Sequence, residues 1–198
     1  MLTTTLVTAY LTGSIPTSVW LGQWIRGIDL REHGSGNAGA TNAFRVLGKG
    51  MGTFVLVIDM FKGYAAVSLS YLQTRIPMEG EAWLILRIAL GFMAVIGHIF
   101  PLFAGFRGGK GVATMAGVGL ALHPLAALCT LGVYVLAFAI SRISSLGSLA
   151  AVLSYPLWLI LVFSTGYQSL RVFSLMVPVL VLFTHRKNIR RLLSGKEK

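Results

Sequence analysis

Hydrophobic residues gather in seven runs along the chain, at 3–25, 52–74, 83–104, 112–122, 125–141, 148–165 and 170–185, and the polar residues gather between them. A helix needs about 20 consecutive apolar residues to cross a bilayer. Most of the runs meet that length, but the fourth is short and is followed by His123-Pro124, so runs four and five read as one broken helix or a tight helical pair. The pattern predicts an all-α, polytopic transmembrane bundle of about seven spans, with five or six as alternatives. The first run has no basic leader and no small-residue cleavage site, so it reads as a retained helix. No tandem repeat, low-complexity linker or polar domain interrupts the sequence, and residues 1–198 read as a single domain.

Composition supports the membrane reading. Of the 198 residues, 55% are hydrophobic and 12% charged, whereas soluble domains carry about 25% charged residues. The net charge of +11 would raise nucleic acid as a partner in a soluble protein. Here the cations lie between apolar runs, which suits anionic lipid head groups and phosphorylated substrates instead. The lone Cys129 lies inside an apolar run and excludes an intramolecular disulfide or a cysteine-based metal site.

Seven spans would put Arg26, Arg31, Arg45, Lys49, Arg107, Lys110, Arg142, Arg186, Lys187, Arg190, Arg191, Lys196 and Lys198 on one side. Arg75 and Arg171 would fall on the other, with Lys62 and Arg87 inside spans. The excess of cations marks the cytoplasmic side. The expected orientation is therefore N-terminus outside and C-terminus in the cytoplasm, with the glycine-rich connections facing the cytoplasm.

The first of these connections reads Gly34-Ser35-Gly36-Asn37-Ala38-Gly39-Ala40-Thr41-Asn42-Ala43-Phe44-Arg45. Closely spaced glycines let backbone N–H groups converge on an anion. Ser35, Asn37, Thr41 and Asn42 add short polar groups, and Arg45 adds a guanidinium fork for phosphate oxygens. A helix over about 38–45 would point its N-terminus at the same place. Residues 34–39 also fit G-x-G-x-x-G, but that fingerprint requires a preceding strand and a βαβ unit, and a membrane span follows instead.

The second connection runs from Gly97-His98-Ile99-Phe100-Pro101 to Arg107-Gly108-Gly109-Lys110-Gly111. Lys110 sits among Gly108, Gly109 and Gly111 directly before an apolar helix, well placed for phosphate. It is not a Walker A loop, because Gly111 follows the lysine where Ser or Thr is required. His98 reads as a general base or a structural hydrogen-bonding residue, and His33 and His123 as surface or packing residues. Asp59 and Lys62, one helical turn apart inside a span, read as an ion pair or as a brace for Arg45.

A third connection carries Ser144, Ser145 and Ser148, which suit a phosphate or the capping of the next helix. The tail runs Thr184-His185-Arg186-Lys187-Asn188-Ile189-Arg190-Arg191. On a helix His185 and Asn188 share a face. Attraction to lipid explains the tail's cations but not these two residues.

Together SGNAGATNAFRVLGKGMG at 35–52, DMFKG at 59–63, GHIFPLFAGFRGGKGVAT at 97–114 and HRKNIRRLLSGKE at 185–197 resemble the bacterial integral-membrane acyl-phosphate:glycerol-3-phosphate acyltransferases. GSIPTS at 13–18 fits the same family, and the match runs in order from first span to tail. Ala38 stands where Pro or Val is more usual, and Arg107 where Lys is common. The resemblance implies transfer of a fatty acyl group from acyl phosphate to the 1-hydroxyl of sn-glycerol 3-phosphate, yielding 1-acyl-glycerol 3-phosphate and phosphate. That is the first acylation of phospholipid synthesis, at the bacterial cytoplasmic membrane. No cofactor or metal is implied; membrane lipid is a partner, nucleic acid is not, and oligomeric state is left open.

The candidate catalytic residues are Lys110, Ser35, Asn37, His185 and His98. Gly36, Gly39, Thr41, Asn42, Arg45, Gly108, Gly109, Gly111, Ser145, Ser148 and Asn188 are the candidates for holding substrate and phosphate. In this scheme Lys110 and the 35–42 loop stabilise the leaving phosphate and acyl oxyanion. Arg45, Ser145 and Asn188 grip glycerol 3-phosphate, and His185 orients it. The proton passes to His98, to His185 or to a substrate phosphate. None of the four histidines has Asp five residues later, so the His-x4-Asp mechanism of other acyltransferases is excluded. A transporter for a phosphorylated solute and a phospho-group transferase are the alternatives. The first usually shows inverted repeats, and the second calls for metal-binding aspartates, of which only Asp29 and Asp59 exist.

Overall fold

The computed structural model describes residues 2–73 and 79–197. Arg75 and Lys198, which entered the charge pattern, lie outside them. The described residues form helices joined by turns and loops, with no strand among them: α1 (Leu2–Ser14), α2 (Thr17–Arg26), α3 (Ala40–Val46), α4 (Lys49–Ser68), α5 (Gly80–Ile99), α6 (Val112–Leu122), α7 (Pro124–Ser141), α8 (Ser144–Leu157), α9 (Gln168–Thr184) and α10 (Arg186–Leu193).

Each expected apolar run is helical, but not every run is one straight span. The run at 3–25 is two helices, because Pro16 lacks the N–H that would continue the α1 ladder. Among the described residues, four helical stretches are long and apolar enough to cross a membrane: Lys49–Leu72, Gly80–Ala104, Pro124–Ser141 and Ser144–Val162. A fifth is obtained if α9 and α10, bent by 68° at His185, count as one. At 11 residues α6 is too short to cross alone.

The chain divides into two compact units, Met1–Leu122 and His123–Lys198. In the first, α1 lies on α5 and α4 lies on α6, and glycines make both contacts. A Cβ on Gly63 would collide with the Thr114 carbonyl, and one on Gly117 with the Met60 carbonyl. Gly13 meets Ala94, and Gly97 meets Tyr10, in the same way. In lipid the hydrophobic effect does not drive helices together, so small residues that permit such close approach supply the packing. A core of Ala9, Ala66, Trp83, Leu86, Leu90 and Ala94 fills the space between α1, α4 and α5. Leu30, Ala43, Leu47 and Val55 seat the short helix α3 against α4.

In the second unit α8 packs on α7 and α9. Gly147 takes the ring of Tyr134, and Tyr155 meets Phe173 edge-on at 6.5 Å. α8 ends in a single π-helical turn over Trp158–Val162, just beyond Pro156.

Candidate functional site

The first unit brings the two glycine-rich connections together. Gly34 and Gly36 have φ of 61° and 72°, a left-handed conformation that glycine adopts without a Cβ penalty. The turn they form closes on Asn42, which is fully buried on α3. Asn42 Oδ1 accepts from the Ser35 N–H at 2.8 Å, and its Nδ2 donates to the carbonyls of Leu30 and His33 at 2.9 Å each. The expectation for Asn42 was direct contact with phosphate; the structure uses its amide to shape the loop. Ser35, Thr41 and Arg45 are exposed, with Arg45 in the last turn of α3. Asn37 is half-buried, its Nδ2 close to Gly39.

The second connection folds back on the end of α5. Gly109 N–H donates to His98 O and Gly108 N–H to Ile99 O, both at 3.1 Å. Gly111, at φ 80°, then turns the chain into α6, leaving Lys110 half-buried at the helix entrance. A Cβ on Gly109 would stand 3.0 Å from the Ala38 carbonyl oxygen. The two glycine turns therefore touch backbone to backbone.

Asp29 and Arg31 were not among the predicted site residues, yet they join the same two segments. The Arg31 guanidinium holds both Asp29 oxygens, with Nη2 to Oδ2 at 2.6 Å, and Nη1 reaches across to the carbonyls of Ala104 at 2.7 Å and Arg107 at 3.3 Å. The hydrogen bond from Arg31 outweighs the effect of burial and holds the Asp29 carboxyl below the usual carboxylate range, while the Arg31 guanidinium is raised in turn. Their one sequence signal was an Asp-x-Arg just before the glycine turn.

Asp59 and Lys62 form the expected ion pair, Nζ to Oδ1 at 2.7 Å, with each residue only 2% exposed. His98 is buried beside them on α5. His33, exposed, meets the Asp29 carbonyl through Nδ1, and His123 caps α7 by accepting from the Ala126 N–H.

The second unit gathers a different set. Ser145 does not cap α8; it donates to Glu197 Oε1 at 2.8 Å. Asn188 Nδ2 and Arg191 Nε donate to the same carboxylate. Ser148 back-bonds to the Ser144 carbonyl on its own helix. His185, 2% exposed, donates from Nδ1 to the Val181 carbonyl at 2.9 Å, so its neutral form carries the acceptor lone pair on Nε2. Burial pushes the Glu197 carboxyl up, but hydrogen bonds from Asn188, Ser145 and Arg191 more than offset this and leave it lowered. Glu197 was missed as a site residue, although an acid in so basic a tail was its signal.

Residues 3–195 match the family described as glycerol-3-phosphate acyltransferase. The chain belongs to that family. It is 43% identical to the glycerol-3-phosphate acyltransferase of Chlorobaculum tepidum, over 97% of this chain and 93% of the relative, and 40% identical to that of Chlorobium limicola with the same coverage. Among solved structures it resembles PlsY (YgiH), an integral membrane glycerol 3-phosphate acyltransferase. The glycerol 3-phosphate form of that protein matches with a TM-score of 0.88 at 35% identity, covering 100% of this chain and 94% of the other. The lysophosphatidic acid form matches with a TM-score of 0.85 at 34% identity. The acyltransferase fold thus covers the whole chain, including both glycine turns and the polar tail of this family member.

Proposed function

We propose that this chain transfers a fatty acyl group from acyl phosphate to the 1-hydroxyl of sn-glycerol 3-phosphate at the cytoplasmic face of a bacterial inner membrane, both units belonging to one acyltransferase domain. Family membership supports the reaction class. The observation that carries the reading is the contact of the two glycine turns, Gly109 against Ala38, with Lys110 beside them. Convergent backbone N–H groups and a cation suit phosphate and a developing oxyanion.

In the reaction the 1-hydroxyl oxygen attacks the acyl carbon. The bond from that carbon to the phosphate oxygen breaks, its electron pair leaves with the phosphate, and the hydroxyl proton passes to a substrate phosphate oxygen. Because the donor is already activated, orientation and charge stabilisation supply most of the acceleration. Lys110, with the turn built by Ser35, Gly36, Asn37 and Gly39, serves the donor phosphate and the acyl oxyanion, and Arg45 adds a guanidinium fork for glycerol 3-phosphate. Ser145, Asn188 and His185 of the second unit are further polar groups suited to a phosphate.

The test is phosphate release from palmitoyl phosphate by purified protein in lipid. Release is expected only with glycerol 3-phosphate present, and Lys110→Ala or Arg45→Ala should abolish it. Release without the acceptor, or unchanged activity in both variants, would refute the reading.

A further inference from the structure

His98 was a candidate proton acceptor, and its surroundings assign it other work. Its side chain is 7% exposed and lies between two protein surfaces. On one side Nδ1 is 3.8 Å from Asp59 Oδ1. On the other, Nε2 lies against Gly109, where any Cβ would strike it. The backbone of the same residue accepts the Gly109 N–H. His98 thus touches the turn before Lys110 through both its ring and its carbonyl.

Asp59 is fixed in turn from several elements. Lys62 Nζ donates to it at 2.7 Å and Thr17 Oγ1 at 3.3 Å. Lys62 Nζ also donates to the Ile15 carbonyl, at the break where Pro16 interrupts α1 and α2. A charged pair buried this deeply is costly in desolvation unless its hydrogen bonds are well made. These bonds join the α1–α2 break to α4, and the 3.8 Å contact of Asp59 with His98 carries the network to the end of α5, whose carbonyl takes the glycine turn's N–H.

We propose that Asp59, Lys62 and His98 form a positioning network for the Gly108–Gly111 turn, and that His98 sets where Lys110 and the turn's N–H groups stand without taking the substrate's proton. The inference rests on the acyltransferase reading above.

A base and a positioning residue fail differently. Loss of a general base lowers kcat by about 100-fold or more and removes the acidic limb of the pH–rate profile. Loss of a positioning residue displaces Lys110 and the turn's N–H groups, so it lowers kcat and raises KM together and leaves the pH–rate profile unmoved. His98→Ala is expected to lower kcat/KM by about tenfold to 100-fold, shared between kcat and KM, with the profile unmoved. His98→Asn, which keeps a polar side chain on the side of Asp59 but cannot act as a base, should recover most of that kcat/KM. Asp59→Asn should behave like His98→Ala, and the two changes together should cost no more than one alone, because they act on one turn. All variants are assayed in lipid, well below their melting temperatures. Loss of the acidic limb of the pH–rate profile in both His98→Ala and His98→Asn would overturn the proposal, as would wild-type kinetics in both. If His98→Ala does not fold, His98→Asn and Asp59→Asn decide by the same profile. A wild-type protein that shows no transfer at all refutes the acyltransferase reading instead.

Discussion

Asn188 on α10 donates from Nδ2 to Oε1 of Glu197, a residue that follows the end of its own helix, at 2.5 Å. The same oxygen takes the Ser145 hydroxyl, and Oε2 takes Arg191 at 2.6 Å. A carboxylate that accepts three donors from α8 and α10 ties the tail to the second unit. Glu197→Gln keeps the shape but turns one acceptor into a donor facing other donors. A loss of about 1–2 kcal/mol is expected, read as a lower melting temperature in detergent.

That loss depends on pH in a definite direction. The Glu197 and Asp29 carboxyls are both lowered in the folded protein. Their stabilisation is complete above the ordinary carboxylate range and disappears as pH falls through the lowered folded values. The melting-temperature gap between wild type and Glu197→Gln should be widest near neutral pH and close as pH falls below the ordinary carboxylate range. A gap that stays constant across that range would contradict the proposed origin of the shift.

Asn42 offers a separate test of the first glycine turn. Asn42→Asp keeps an acceptor for the Ser35 N–H but removes the donor to Leu30 and His33 and buries a charge. Asn42→Ala removes all three bonds. Leaving buried backbone carbonyls unsatisfied costs about 1–3 kcal/mol each. Both variants should melt earlier and lose most of their transfer activity, although the side chain is fully buried.

Arg31 bridges the two turns through bonds that lysine cannot reproduce, since a point ammonium lacks the planar fork that holds a carboxylate and reaches two carbonyls. Arg31→Lys is expected to lower kcat/KM by several-fold to about tenfold, through kcat and KM together. Steady-state kinetics in lipid check it; wild-type kcat/KM would show that the bridge does not act through the turns.

Orientation is checked directly. With Cys129 replaced by Ser, a cysteine introduced at Ser194 should react with a membrane-impermeant maleimide in inside-out vesicles and stay unlabelled in intact spheroplasts. The reverse pattern would place the tail outside and contradict the positive-inside reading.

How much of this was visible in the chain depends on the kind of signal. Apolar runs announce helices wherever they fold, because a bilayer leaves the backbone no other way to satisfy its N–H and C=O groups. The runs at 52–74, 83–104 and 125–141 therefore matched the helical stretches Lys49–Leu72, Gly80–Ala104 and Pro124–Ser141 over the described residues, residue 74 lying outside them. The break at Pro16 was missed because hydropathy continues straight through a proline that ends hydrogen bonding. The glycine turns were legible as turns because closely spaced glycines admit the left-handed backbone that Gly34, Gly36 and Gly111 adopt.

The contacts between distant residues were not legible. Sequence alone determined the membrane-helical class, which follows from local composition, and the family, which its ordered motifs resemble from first span to tail. Only the tertiary structure decided that Asn42 builds its turn, that Arg31 spans to Ala104, that His98 is held between Asp59 and Gly109, and that Glu197 gathers Ser145 and Asn188. Hydrogen bonds act over about 3 Å. Which groups come within that distance is set by how the helices pack, and spacing along the chain does not encode it.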